Sequence, residues 1–235
     1  MDKDKKRRNL AKAAWFASVA CSLALCVEDA FAADLKLGET IATKGTTNGA
    51  AACVSCHGLQ GEGNAAAGFP RLAGLSSAYL SAQMAAFSTG ERQSPTMQPF
   101  AKLLPLTERT AVAAYFSKMA APAGIRTSDD TSITPAEPGP WLATRGRWDQ
   151  GLPACVQCHG PGGIGVSPTF PPLAGQPANY ISNQLQGWKK GARPPGPLAL
   201  MPVIASKLTD ADISAVAAYY AAPASGDAKR TGDMK

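Results

Sequence analysis

Cys53-Val54-Ser55-Cys56-His57 and Cys155-Val156-Gln157-Cys158-His159 are two copies of one pentad, Cys-X-X-Cys-His, in a 235-residue chain with no other histidine. The pentad is the attachment site of a c-type haem. Its two cysteines form thioethers to the haem vinyl groups, and the adjoining imidazole reaches the iron from one side. A zinc knuckle would bring its cysteine pairs within about 15–20 residues of each other, whereas most of a domain separates these. A redox-active dithiol has no need of the trailing histidine. The pentads therefore predict two covalently bound haem c groups, with Cys53, Cys56, Cys155 and Cys158 as the attachment residues.

Working outward, the chain matches itself at an offset of about a hundred residues. Ile41-Ala42-Thr43-Lys44-Gly45 pairs with Leu142-Ala143-Thr144-Arg145-Gly146, and Phe69-Pro70-Arg71-Leu72-Ala73-Gly74 with Phe170-Pro171-Pro172-Leu173-Ala174-Gly175. Tyr79, Gln83 and Phe87 pair with Tyr180, Gln184 and Trp188. Ala111-Val112-Ala113-Ala114-Tyr115 recurs unchanged as Ala215-Val216-Ala217-Ala218-Tyr219. One haem-binding unit has been duplicated. A unit this small buries a modest core, and covalent haem supplies an apolar body around which helices can wrap.

The predicted organisation is a signal peptide at 1–32, a first domain at 33–120, a linker at 121–140, a second domain at 141–222 and a flexible tail at 223–235. The leader reading rests on Lys3, Lys5, Lys6, Arg7 and Arg8, then a largely apolar run from Ala13 to Val27, then Ala30-Phe31-Ala32. Cleavage near Ala32 would remove Cys21 and Cys26, leave no cysteine outside the pentads, and reduce the formal net charge from +6 to +4. Four haem propionates offset most of that, so charge does not indicate a nucleic-acid partner. The expected address is the periplasm, with the mature protein soluble and touching membranes only through partners.

The fold class expected is all-α. The predicted helices are 34–44, a turn at each pentad, Ser76 to Thr89, Ala178 to Lys190, and a last helix in each unit. Thr209 with Asp212 three places on reads as a variant capping box, while Pro105 occupies the matching position in the first unit.

Iron held by one histidine needs a second ligand or an open position, and the choice separates electron transfer from chemistry. His57 and His159 are both committed, so the sixth ligand falls to methionine. Met97 and Met201 sit at corresponding places in proline-rich loops before the last helix of each unit. Met84 and Met119 have no methionine at the matching positions and are expected in the core. The predicted metal ligands are thus His57, Met97, His159 and Met201. The carbonyls of Pro70 and Pro171 are candidate acceptors for the second imidazole nitrogens. Tyr115, Tyr219, Phe87 and Trp188 are expected as core aromatics against the porphyrin.

With these motifs in place, the chain resembles the dihaem cytochromes c of the cytochrome c4 type over nearly the whole length from about Gly38 to Tyr220. The resemblance implies two tandem class-I cytochrome c-like domains related by an approximate two-fold axis, with haem edges facing across the interface. It also implies periplasmic electron transfer, often to a terminal oxidase. The leading expectation is a one-electron carrier between respiratory donors and such an acceptor. The alternative is the cytochrome subunit of a periplasmic dehydrogenase complex. A dihaem enzyme is disfavoured, since no histidine remains for acid–base work and no cysteine to ligate a substrate-oxidising haem.

Overall fold

The computed structural model describes residues 34–121, 133–196 and 198–222. The expected leader, most of the linker and the tail lie outside the described residues. Among the described residues the chain is helical, with isolated β-bridges and no strand. In the first half, α1 covers residues 34–44, α2 Val54–His57, α3 Ser77–Thr89, α4 Met97–Leu103 and α5 Leu106–Lys118. The second half repeats the order with α6 Pro138–Thr144, α7 Val156–His159, α8 Ala178–Lys189, α9 Leu200–Ser206 and α10 Asp210–Ala221. Helix α6 begins inside the stretch read as linker. Its two prolines fall in the first turn, where a missing N–H costs no helical bond.

Each half has its own core. Ile41, Leu75, Leu80, Leu104, Val112 and Phe116 cluster in the first. Leu142, Leu185, Leu208, Ile213, Val216 and Tyr220 cluster in the second. The first helix of each half crosses the last at a glycine. A Cβ on Gly38 would lie 2.2 Å from the Ala111 carbonyl oxygen, and one on Gly139 would lie 2.5 Å from that of Ala215. Both distances are below any tolerable contact, so glycine alone permits these crossings.

The two final helices start differently. The Thr209 hydroxyl accepts from the Asp212 N–H, and the Asp212 carboxylate accepts from the Thr209 N–H, completing the capping box. Asp212 also takes two hydrogen bonds from Arg147, at 2.9 and 2.5 Å. These hold its carboxyl down at about 2 and tie the loop before the second pentad to α10. Pro105 precedes α5 without any side-chain cap.

The halves meet along a polar seam. Arg71 is 2% exposed and donates to the carbonyl of Ala73 in its own half and, at 3.0 Å, to that of Ala174 across the seam. The Gln176 side chain accepts from the Arg71 N–H at 3.0 Å and donates to the Arg71 carbonyl at 2.9 Å. Burial lowers the Arg71 guanidinium to about 10. The two repeated Pro-X-Leu-Ala-Gly segments are thereby fastened to each other.

Candidate haem sites

Each pentad forms one short helical turn at the wall of its own cavity. Residues lining the first cavity include Cys53, Cys56, His57, Phe69, Leu80, Phe87 and Met97. The second is lined by, among others, Cys155, Cys158, His159, Phe170, Leu185, Trp188 and Met201. Apart from these named polar and sulfur groups the walls are largely apolar, as a flat macrocycle with a hydrophobic body requires. The four cysteines are unbridged thiols. Burial pushes the Cys53 and Cys155 thiols up to about 11, which marks both as facing an apolar space.

The imidazoles are oriented from behind. His57 Nδ1 lies 2.8 Å from the Pro70 carbonyl oxygen and His159 Nδ1 2.7 Å from that of Pro171. Donation to these carbonyls places the proton on Nδ1 and leaves Nε2 as the lone-pair nitrogen. Burial holds both imidazoles neutral, lowering their proton affinity against the smaller opposing effect of the proline carbonyls. A neutral, buried and oriented imidazole is the form that binds iron.

The proline carbonyls reach the histidines because the chain passes close to itself at glycine. Gly63 accepts φ +87°, and a Cβ there would lie 2.6 Å from the Arg71 nitrogen. Gly165 does the same at φ +85°, 2.6 Å from the Pro172 nitrogen. Both glycine N–H groups donate at 2.7 Å to the carbonyl of the pentad histidine. Phe69 and Phe170 stand beside the two imidazoles, with ring centroids 6.1 and 6.0 Å away.

Met97 and Met201 both line the expected cavities, but neither sits in a loop. Met97 is the first residue of α4, its N–H taken by the Ser94 hydroxyl at 3.1 Å, and Met201 is the second residue of α9. Pro99 and Pro202 fall in the first turns of these helices, where proline is tolerated. The approach to Met201 is three residues longer than that to Met97, counted from Arg193 and Arg92. It includes Ala199 at φ +50°, a left-handed conformation that costs an alanine roughly 1 kcal/mol.

One expectation about the walls needs revision. Met84 packs on the first core as expected and also lines the first cavity, and its counterpart Leu185 lines the second. A leucine at the matching position marks this as wall rather than ligand. Phe87 and Trp188 line the cavities as expected, but Tyr115 and Tyr219 do not; the neighbours Phe116 and Tyr220 take that place. A shift of one residue rotates a helical side chain by about 100°. The repeated Ala-Val-Ala-Ala-Tyr ends one position short of the cavity-facing aromatic, and α5 and α10 hide that difference from a reading of the repeat.

Each cavity borrows wall from the other half. Tyr180 and Gln184 line the first as well as the second, and Leu75 and Tyr79 reach the second. The repeat alignment carried the signal for Tyr79, Tyr180 and Gln184 but not for Leu75; their placement between the two cavities came only with the fold.

Comparison with known proteins places this geometry. The Cytochrome c family model matches residues 42–120 and 150–221, one match per half. A protein named thiosulfate dehydrogenase electron acceptor, from Thiomonas intermedia, is 47% identical over 173 residues, covering 74% of this chain and 79% of the relative. Among solved structures, a thiosulfate dehydrogenase from Marichromatium purpuratum superposes with TM-score 0.72 at 42% identity, covering 80% of this chain. This chain spans only 40% of that larger protein. Reduced cytochrome c4 from Pseudomonas stutzeri superposes with TM-score 0.63 at 33% identity, covering 72% of this chain and 92% of that one. No helix among the described residues is long and apolar enough to cross a membrane. With a pentad, an oriented histidine and an apolar cavity in each half, and a family match over each, this chain belongs to the cytochrome c family as a dihaem electron-transfer protein of the cytochrome c4 type, carrying two covalently bound haem c groups.

Proposed function

We propose that this chain is the dihaem electron acceptor of a periplasmic thiosulfate-oxidising dehydrogenase, passing electrons on to an acceptor such as a terminal oxidase. The observation that carries this reading is the 47% identity to a protein named for that role, against 33% to the solved cytochrome c4. Of the two functions weighed from sequence, this favours the dehydrogenase cytochrome, with onward transfer to an oxidase retained as the second step.

In this reading Cys53, Cys56, Cys155 and Cys158 would anchor the haems, and His57, Met97, His159 and Met201 would ligate the irons. Bound haem supplies a one-electron ferrous–ferric couple, whose potential methionine ligation raises. The protein residues keep that couple closed to substrates. Pro70 and Pro171 hold the imidazoles in one tautomer. Met97 and Met201 would complete the ligand sets, and Phe87, Phe116, Trp188 and Tyr220 on the cavity walls would exclude water. Tyr180 and Gln184 wall both cavities, which supports electron exchange between the two haems within the molecule.

The test mixes the oxidised holoprotein with a purified thiosulfate dehydrogenase catalytic subunit and thiosulfate, following haem reduction by stopped-flow absorbance. Reduction of both haems requiring both enzyme and thiosulfate is expected. If the dehydrogenase turns over with another acceptor yet leaves these haems oxidised, the donor assignment is wrong.

A further inference from the structure

One difference between the halves lies at a single buried atom beside a haem attachment residue. Phe116 in α5 and Tyr220 in α10 occupy matching places, each 1% exposed and each on the wall of its own cavity. Their backbones are pinned alike. The Gly74 N–H donates to the Phe116 carbonyl at 3.1 Å, and the Gly175 N–H to the Tyr220 carbonyl at 2.8 Å. Their rings are confined alike as well: a Cβ on Gly61 would meet Phe116 Cδ1 at 2.9 Å, and one on Gly163 would meet Tyr220 Cε1 at 2.5 Å. The two copies therefore share the ring and differ at its tip, bare in the first half and carrying a hydroxyl in the second.

The Tyr220 hydroxyl is enclosed and closes no hydrogen bond among the described residues. The side chain it faces is Cys155; burial first, and then this sulfur, hold the phenol well above its ordinary value. Buried polar groups are found hydrogen-bonded, so this O–H calls for an acceptor. While Cys155 is a thiol, its own hydrogen is directed at the Leu142 carbonyl, 3.7 Å away. Thioether formation places the sulfur on one vinyl carbon and that hydrogen on the other, so the sulfur keeps lone pairs and no hydrogen. A weak sulfur acceptor then stands against an unpartnered O–H in a largely apolar site. In the first half, Phe116 offers Cys53 no such donor.

We propose that Tyr220 tunes the potential of the second haem alone: its hydroxyl donates to the Cys155 thioether sulfur, and the positive end of that dipole, aimed at the macrocycle edge, favours the ferrous state. Hydrogen bonding around a haem is one of the levers a protein has on its potential. The first haem, beside Phe116, goes without it, which adds a bias toward placing an electron in the second half. This holds with one haem per cavity, whatever the electron donor.

The test uses holoprotein variants Tyr220→Phe and Phe116→Tyr, each checked for two haems from the alkaline pyridine spectrum. The two midpoint potentials are resolved by redox titration, and the carbon–sulfur stretching bands by resonance Raman in water and in deuterium oxide. Tyr220→Phe should lower one midpoint by about threefold in the reduction equilibrium, roughly 28 mV at 59 mV per tenfold for a one-electron couple, and leave the other in place. Phe116→Tyr should raise that other midpoint. In the wild type one carbon–sulfur band should shift in deuterium oxide, and Tyr220→Phe should lose that shift. Unchanged midpoints in Tyr220→Phe, or an equal fall in both, overturn the assignment, as does a change of the same midpoint in both variants. A fall in one midpoint with no isotope-sensitive band shows the hydroxyl working through an acceptor other than sulfur, and overturns it equally. Should neither variant retain two haems, the wild-type band decides: a shift in deuterium oxide supports the bond, and its absence refutes it. A haem count below two in the wild type would instead refute the two-haem premise.

Discussion

Replacing Gln176 by alanine removes a two-point clamp between the halves. The Gln176 side chain is 4% exposed and meets both backbone groups of Arg71, accepting from its N–H and donating to its carbonyl. Each hydrogen bond contributes about 0.5–1.5 kcal/mol net, and each buried polar group left without a partner costs about 1–3 kcal/mol. The two ends are not fully additive, because a relaxed seam readmits water to one of them. The expected loss is roughly 2–4 kcal/mol, felt at the seam rather than within either core. Backbone hydrogen exchange is the most direct assay. A 2 kcal/mol loss speeds exchange at the Arg71 amide roughly 30-fold, taking 1.36 kcal/mol per decade, while amides in α5 and α10 change less. Gln176→Glu, which still accepts from the N–H but cannot donate to the carbonyl, should fall between. Protection of the Arg71 amide within about threefold of wild type in the alanine variant would refute the clamp, because such a change corresponds to under 1 kcal/mol. Since Arg71 follows Pro70, whose carbonyl holds His57, a loosened clamp should also slow electron transfer between the haems.

Met97→Ala and Met201→Ala should each abolish half of the sulfur-to-iron charge-transfer absorption of the oxidised protein and lower one midpoint potential, whereas Met84→Leu leaves the band intact; loss of the band in the Met84 variant would reverse the ligand assignment. The Asp212 carboxyl, held down to about 2 by Arg147 and Thr209, gives stability that is present above its ordinary value near 4 and lost as pH falls through about 2. After discounting for solvent around Arg147, this amounts to about 1–2 kcal/mol. Acid unfolding of Asp212→Asn should therefore show a flatter pH dependence between pH 4 and 2, and an unchanged slope would remove the pair from the acid response.

Recognising two haems needed little beyond the pentads, because covalent attachment puts cysteine, cysteine and histidine within five consecutive positions. The histidine carbonyl partners were legible for a related reason. Phe-Pro-X-Leu-Ala-Gly begins 12 residues after His57 and 11 after His159, and Gly63 and Gly165 let the backbone fold back onto it. Helix phase was harder to read. Tyr115 and Tyr219 belong to the exact repeat and pack on the cores, yet Phe116 and Tyr220 face the cavities, because each residue turns the side chain by about 100°. The methionine segments read as loops from their prolines, but proline in a first turn is compatible with helix, and α4 and α9 begin there.

Sequence alone determined the chemistry that is local along the chain: haem attachment at each pentad, the duplication of the unit, its helical class, and the supply of one methionine at the corresponding place in each half. Only the tertiary structure decided what lies between the halves. Arg71 with Gln176, and Arg92 and Arg193 with the tyrosines opposite them, meet partners 88 to 114 positions away. Short-range spacing encodes covalent and helical geometry because the backbone carries it from residue to residue. A contact across a seam exists only when two independently folded cores bring their surfaces together, and no local period records that meeting.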